Sequence, residues 1–200
     1  MPTSTFDIAA NADDGQANKS DTVTSINDAT NYASIIKYTV PYEKAAWLRF
    51  TGITISKNTV ITSAIIKLYN RGTGRIIKLQ ADAAHTPGNP VNGVAVITPT
   101  SIVSGTFPSW TPTVGTGIGK ELYHLDQPDV KFMVQTLVDD YEYSSDEMVF
   151  YIRSTVATAF SYIATIYQRD WGTSKDAQLV IDYVSPAVPP PPDKTTYHHG

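Results

Sequence analysis

The chain has 200 residues, 42% hydrophobic and only 17% charged, with a formal net charge of −4 and no cysteine. That excludes disulfides, thiolate metal sites and iron–sulfur centres. It also argues against a phosphate-binding surface, which needs clustered Lys and Arg. The longest basic cluster, Arg71, Arg75 and Lys78, is broken by glycines, so no nucleic-acid partner is expected. No stretch approaches the roughly 20 apolar residues that span a bilayer, so no membrane insertion is expected. Met1 to Ala12 lacks both a basic start and an apolar run, so it does not read as a Sec-type signal peptide.

In chain order, Thr5 to Ile8 reads as a short edge strand and Asn11 to Ser20 as a polar loop. Thr22 to Ile26 and Ala33 to Val40 are β-prone, separated by the turn formers Asn27, Asp28 and Asn31. Ala45 to Phe50 alternates as a strand. Ala46, Leu48 and Phe50 share one face, and Trp47 shares the other with Arg49, which predicts an aromatic beside a charge near a sheet edge. Lys57-Asn58 reads as a turn. Ile61 to Tyr69 is apolar on both parities, the pattern of a strand inside a sandwich or one whose outer face is covered. After the glycine turn Arg71-Gly72-Thr73-Gly74, Arg75 to Ala81 is predicted as its hairpin partner. His85 to Gly119 is rich in Pro, Gly and Thr, with β-prone islands at Val94 to Thr98 and Ser101 to Val103. Loops this long usually serve a function.

One helix is predicted. Asp126-Gln127-Pro128-Asp129 offers an N-cap, an early proline and an acid three residues on. Val130, Met133, Val134, Leu137 and Val138 then form one stripe, ending near Asp139 or Asp140. Met148 to Arg153, Phe160 to Tyr167 and Ala177 to Val184 follow as strands. The pattern predicts an all-β fold, a two-sheet jelly-roll sandwich over residues 1–184 with one short helix inserted before the last strands. Residues 185–200 change character. Pro186, Pro189, Pro190, Pro191 and Pro192 make a stiff polyproline stretch, an extended arm whose anchor would be Tyr197. His198 and His199 offer imidazoles for a shared metal site, or are the trace of a purification tag.

No catalytic constellation is legible. No Ser lies in a G-x-S-x-G elbow, and the four histidines are His85, His124, His198 and His199. Asp82, Glu121, Asp139 and Glu147 are carboxylates without a marked partner, whereas glycosidases need a pair at fixed separation. Asp13 and Asp14, beside Asn11 and Gly15, offer hard oxygen donors for a structural calcium ion but lack the EF-hand pattern. A plain turn is the competing reading. Trp110, Tyr143 and Trp171 lie in loops or just after the helix. Such rings stack on sugars, anchor interfaces or plug the ends of a sandwich.

Two runs carry a resemblance. Ala46-Trp47-Leu48-Arg49-Phe50, then Ile53, then Val60-Ile61-Thr62-Ser63-Ala64-Ile65-Ile66-Lys67-Leu68-Tyr69, is similar to the DNRLRE-type β-sandwich family. The segment Val130 to Leu137 resembles that family's helix, and Ala177-Gln178-Leu179-Val180-Ile181-Asp182-Tyr183 its closing strand. The likeness would span roughly Phe6 to Val184. Thr51 replaces the family's usual Asp, and Ala177-Gln178 its usual proline. The resemblance implies a build like carbohydrate-binding modules and a binding or scaffolding role, as in secreted surface proteins and phage structural proteins. The leading expectation is therefore a non-enzymatic structural protein of a phage particle or extracellular assembly. Its partners would be copies of itself or other structural proteins, and its location virion or extracellular, with release by lysis replacing a signal. The alternatives are a carbohydrate-binding module taking glycan on loop aromatics, and an enzyme acting on polysaccharide.

Overall fold

A computed structural model describes residues 2–10, 13–20, 23–27, 32–37, 43–71, 79–83, 96, 102–103, 108–112, 123–140, 146–155, 164–167 and 176–184. These form an all-β two-sheet sandwich with one short helix. The strands are β1 (Thr3–Asp7), β2 (Asp14–Ser20), β3 (Val23–Asn27), β4 (Tyr32–Lys37), β5 (Glu43–Phe50) and β6 (Val60–Arg71). They continue as β7 (Leu79–Ala83), β8 (Ser109–Trp110), β9 (Tyr123–Asp126), β10 (Met148–Ser154), β11 (Ala164–Tyr167) and β12 (Gln178–Val184). Helix α1 (Lys131–Asp140) lies between β9 and β10. One layer has β5 at its centre, between β2 and β10, with β3 beyond β2 and β7 and β8 beyond β10. The other has β6 at its centre, with β12 and β1 on one side and β9 on the other. Strand β4 joins the layers, pairing with β5 at Ile36 and Lys37 and with β11 along Tyr32 to Ile35. Early strands pair with late ones (β1 with β12, β4 with β11, β5 with β10), the winding of a jelly roll.

The core lies between the layers. Strand β5 contributes Ala46, Leu48 and Phe50, β10 contributes Met148, Phe150 and Ile152, and the facing layer supplies Ala64, Ile66, Leu68, Leu179 and Ile181. Phe50 and Phe150 meet edge to face with centroids 6.0 Å apart, an arrangement the ring quadrupoles favour. Truncating one of these buried Leu or Ile side chains to Ala costs about 2–5 kcal/mol.

Strand β6 departs from strict alternation. Its pairing with β12 steps from Asp182 opposite Ser63 to Tyr183 opposite Ile61, which leaves Thr62 as a bulge. The bulge switches parity, so Ile61 joins Ala64, Ile66 and Leu68 in the core while Ile65 and Tyr69 are half-buried on the outer side. The doubly apolar pattern of Ile61 to Tyr69 thus has two causes, a parity switch and a partly covered outer face.

The edge of β6 away from β12 is closed by three devices in turn. Strand β9 pairs with Leu68 to Arg71. The extended residues Pro128 to Val130 follow, with the Ile66 N–H donating to the Pro128 carbonyl at 3.2 Å and the Val130 N–H to that of Ala64 at 2.8 Å. Helix α1 then takes over. The Ile61 N–H donates to Gln135 Oε1 at 2.7 Å, and Gln135 Nε2 donates to the Thr59 carbonyl at 3.1 Å. The side-chain amide thereby stands in for a strand peptide. The Asn58 N–H also donates to the Val138 carbonyl at 3.3 Å, at the Lys57-Asn58 turn. Asn58 holds φ at 61°, a left-handed conformation that Asn tolerates.

The predicted helix stripe is correct: Val130, Met133, Val134, Leu137 and Val138 are all buried. Its start is not. Asp126 ends β9 and Pro128 is extended, so the helix begins at Lys131, whose N–H donates to Asp129 Oδ1 at 2.8 Å. The nearer acid satisfies an orphan donor of the first turn, and Asp126 is spent elsewhere.

Four other expectations are corrected. Within the segment predicted as a polar loop, Asn11 to Ser20, Asp14–Ser20 is a strand held between β3 and β5, and Asn11 and Ala12 lie outside the described residues. Strand β5 is central, so Trp47 and Arg49 share a face, as predicted, but not near an edge. Strand β7 pairs with β10 and β8 rather than returning along β6. Val96 is helical, not part of a strand.

Gln135→Ala should leave the Ile61 N–H buried without an acceptor and cost about 1–3 kcal/mol, the penalty of an unsatisfied buried donor. Urea unfolding measures it, and an unchanged midpoint contradicts the edge-closing role.

Candidate binding surface

The outer face of β5 shows what the polar residues do. Ala45, Trp47 and Arg49 point away from the main core, yet Trp47 is only 1% exposed. It belongs to a second apolar cluster with Ala17, Ala45, Val149 and Tyr151, covered by Val96 and Ile102 from the long connection between β7 and β8. Gly15 lies opposite Trp47 in the β2–β5 ladder, and the indole lies across it. A Cβ on Gly15 would come 2.1 Å from Trp47 Cη2. Glycine is required there by close approach, not by turn geometry.

Beside the indole, Arg49 makes a two-point contact with Glu147, Nε donating to Oε2 at 3.0 Å and Nη2 to Oε1. Its Nη1 donates to Asp13 Oδ1 at 2.7 Å. The hydrogen bond to Glu147 does most to raise the Arg49 pKa, against desolvation, with the charges of Glu147 and Asp13 adding to it. The second Asp13 oxygen accepts from the Ala10 N–H at 2.9 Å. This cluster ties together the entry to β2, the C-terminal end of β5 and the entry to β10.

The structure thus gives Asp13 a structural partner. Asp14, next along the chain, lies opposite Leu48 in the ladder, a residue of the inner face. Asp13 reaches Arg49, a residue of the outer face. No group of three or more His, Asp or Glu able to hold a metal occurs among the described residues.

Trp110 is in β8 rather than in a loop, and its half-buried ring packs against the main core. Its indole N–H donates to Asp126 Oδ2 at 3.4 Å, and Asn70 Nδ2 donates to the same oxygen at 2.6 Å. The ring closes an end of the sandwich with its polar edge turned inward. Among the other carboxylates, Glu147 is bound by Arg49, and Asp139 accepts from Gln135 at 3.0 Å. Tyr143, Trp171, Pro189, Pro190, Pro191, Pro192, Tyr197, His198 and His199 lie outside the described residues.

A feature that the sequence reading passed over lies next to Trp110. A pocket of about 460 Å³ opens at the first turn of α1, within the range of small-ligand and peptide clefts. Pro108, Val130, Phe132 and Met133 line it with apolar groups, Val130 and Met133 each 1% exposed, and Gln135 lines it as well. Asp129 and Lys131 stand exposed at its rim. Phe132 is 52% exposed, and Leu125 on neighbouring β9 is 42% exposed. The sequence did hold a signal: Phe132 is an aromatic off the buried helix stripe, where a polar residue is usual.

No helix among the described residues is long and apolar enough to cross a membrane. No family model matches the chain, and no curated protein matches it.

Two outcomes follow from the outer face of β5. Gly15→Ala should displace the indole, cost about 1–3 kcal/mol as overpacking does, and shift tryptophan emission to the red; unchanged emission and stability contradict the contact. Burial raises the Tyr151 phenol pKa above its ordinary value. The unfolded chain then loses that proton first, so stability is intact below the ordinary phenol pKa of about 10 and falls as pH rises above it. Tyr151→Phe should lessen the alkaline loss seen by thermal melts above that pH, and identical alkaline profiles contradict it.

Proposed function

We propose that this chain is a non-enzymatic assembly protein, a sandwich body whose C-terminal arm contacts a neighbouring subunit in a phage particle or another extracellular assembly. The observation that carries the reading is the half-exposed Phe132 at the mouth of an apolar pocket. Large aromatic side chains left at the surface beside an apolar cleft are typical anchors for a partner. The carboxylates support the same view. Asp13 and Glu147 are used by Arg49, and Asp126 by Asn70 and Trp110, so they serve the fold. Trp110 turns its N–H inward to Asp126, so its polar edge also serves the fold.

The arm supplies reach. A polyproline run extends roughly 3.1 Å per residue and loses little entropy on docking. The likeness of the strand runs, the helix segment and the closing strand to DNRLRE-type domains agrees with a scaffold role.

Removing residues 185–200 should leave the body folded, with thermal unfolding shifted by a few degrees at most, and should weaken self-association at least tenfold in sedimentation velocity. Equal association with and without the arm contradicts the proposal.

A further inference from the structure

We propose that the pocket at the first turn of α1 receives the segment Pro189–Pro192 of a second copy of this chain. The inference rests on the assembly reading above and names the receptor for the arm.

The chemistry of the two surfaces corresponds. Consecutive prolines favour the polyproline II helix, which docks in grooves lined by aromatic and apolar side chains. The pocket offers Phe132, Pro108, Val130 and Met133 as apolar lining. Charge extends the match. Directly after Pro192 the arm carries Asp193 and then Lys194, one charge of each sign. The pocket rim carries Lys131 and Asp129, both exposed and also one of each sign. Asp193 facing Lys131 and Lys194 facing Asp129 would set the register of an otherwise repetitive proline run.

The path of the chain selects a second copy over the chain's own pocket. Val184, the last residue of β12, lies opposite Val60. Helix α1 starts beside Ala64, through the Val130 N–H, and ends beside Asn58, through the Val138 carbonyl. Strand β12 and helix α1 therefore both run opposite to β6. The chain leaves β12 level with Val60, beside Gln135 of the pocket's lining, and heads away from the first turn of α1 that forms the rest of it. Entry into its own pocket would require the chain to turn back after Val184, whereas a neighbour's pocket requires no such turn. Val60 and Val184, 58% and 45% exposed, mark that point of departure.

Full-length protein tests this by sedimentation equilibrium, with circular dichroism confirming that each variant is folded. Phe132 is half exposed, so Phe132→Glu should fold and should weaken self-association at least tenfold. Lys131→Glu should weaken it several-fold, and adding Asp193→Lys should restore it. That rescue is not expected of a merely structural role for Lys131. If Phe132→Glu and Lys131→Glu associate as the wild type does while removal of residues 185–200 abolishes association, the arm docks elsewhere, and this inference fails while the assembly reading stands. If removal of the arm also has no effect, both fail. A monomer at all concentrations, with the signals of Pro189–Pro192 moved by Phe132→Glu in NMR spectra, would put the arm in its own pocket and overturn the second copy.

Discussion

The structure depends on the closure of β6 along both of its edges. A twelve-residue strand exposes a long row of peptide groups, and an unpaired row is a template for aggregation. On one side β12 covers Val60 to Lys67, and β11 meets Asn70. On the other, no single strand does the work. Strand β9, the extended Pro128–Val130 segment and the Gln135 amide follow one another. The helix is thus part of the sheet's hydrogen bonding as well as a lid on its apolar end. This explains why a helix sits where a strand would otherwise lie, and why its buried stripe and its polar Gln135 both matter.

The position of α1 has a consequence for function. Because Gln135 and Val138 hold the C-terminal half of the helix to β6, the first turn is fixed at the edge of the body, next to β8 and β9. Phe132 then stands at the surface on a rigid support, which is what a recognition surface requires. The layer around β5 is finished differently. Its outer face is apolar, and the connection between β7 and β8 roofs it at Val96 and Ile102. Replacing a buried Trp by Ala costs about 3–5 kcal/mol, whereas an exposed ion pair contributes about 0–1 kcal/mol. Even allowing for its partial burial, the Arg49 cluster ranks below the Trp47 contact in holding this face, and it serves more to fix the ends of β2 and β10.

Local pattern made part of this legible. The alternation of Ala46, Leu48 and Phe50 and the stripe from Val130 to Val138 each follow from one element burying one face, and both are found. What stayed hidden depends on partners distant in sequence. Nothing local marks Thr62 as a bulge, since its cause is the register with β12. Asp14–Ser20 lacks strand-like residues, and at Gly15 the reason is that the backbone must make room for Trp47. The helix start was misplaced because Asp126 and Asp129 both suit a cap, and only the demand of Asn70 and Trp110 for Asp126 separates them. Of the candidate site, Asp13, Asp14 and Trp110 were visible as residue types, but whether a carboxylate or a ring faces inward is a tertiary fact. The pocket at Phe132 arises where Pro108, just before β8, meets the first turn of α1, segments that sequence spacing does not bring together.

Amide hydrogen exchange followed by NMR tests the central claim most directly. If β6 is closed as described, the Ile61 and Ile66 amides, whose acceptors are a side chain and a non-strand carbonyl, exchange as slowly as the β6 amides bonded to β12. Exchange of those two at rates near those of an unstructured peptide, beside slow neighbours, would show that edge open and would contradict the account.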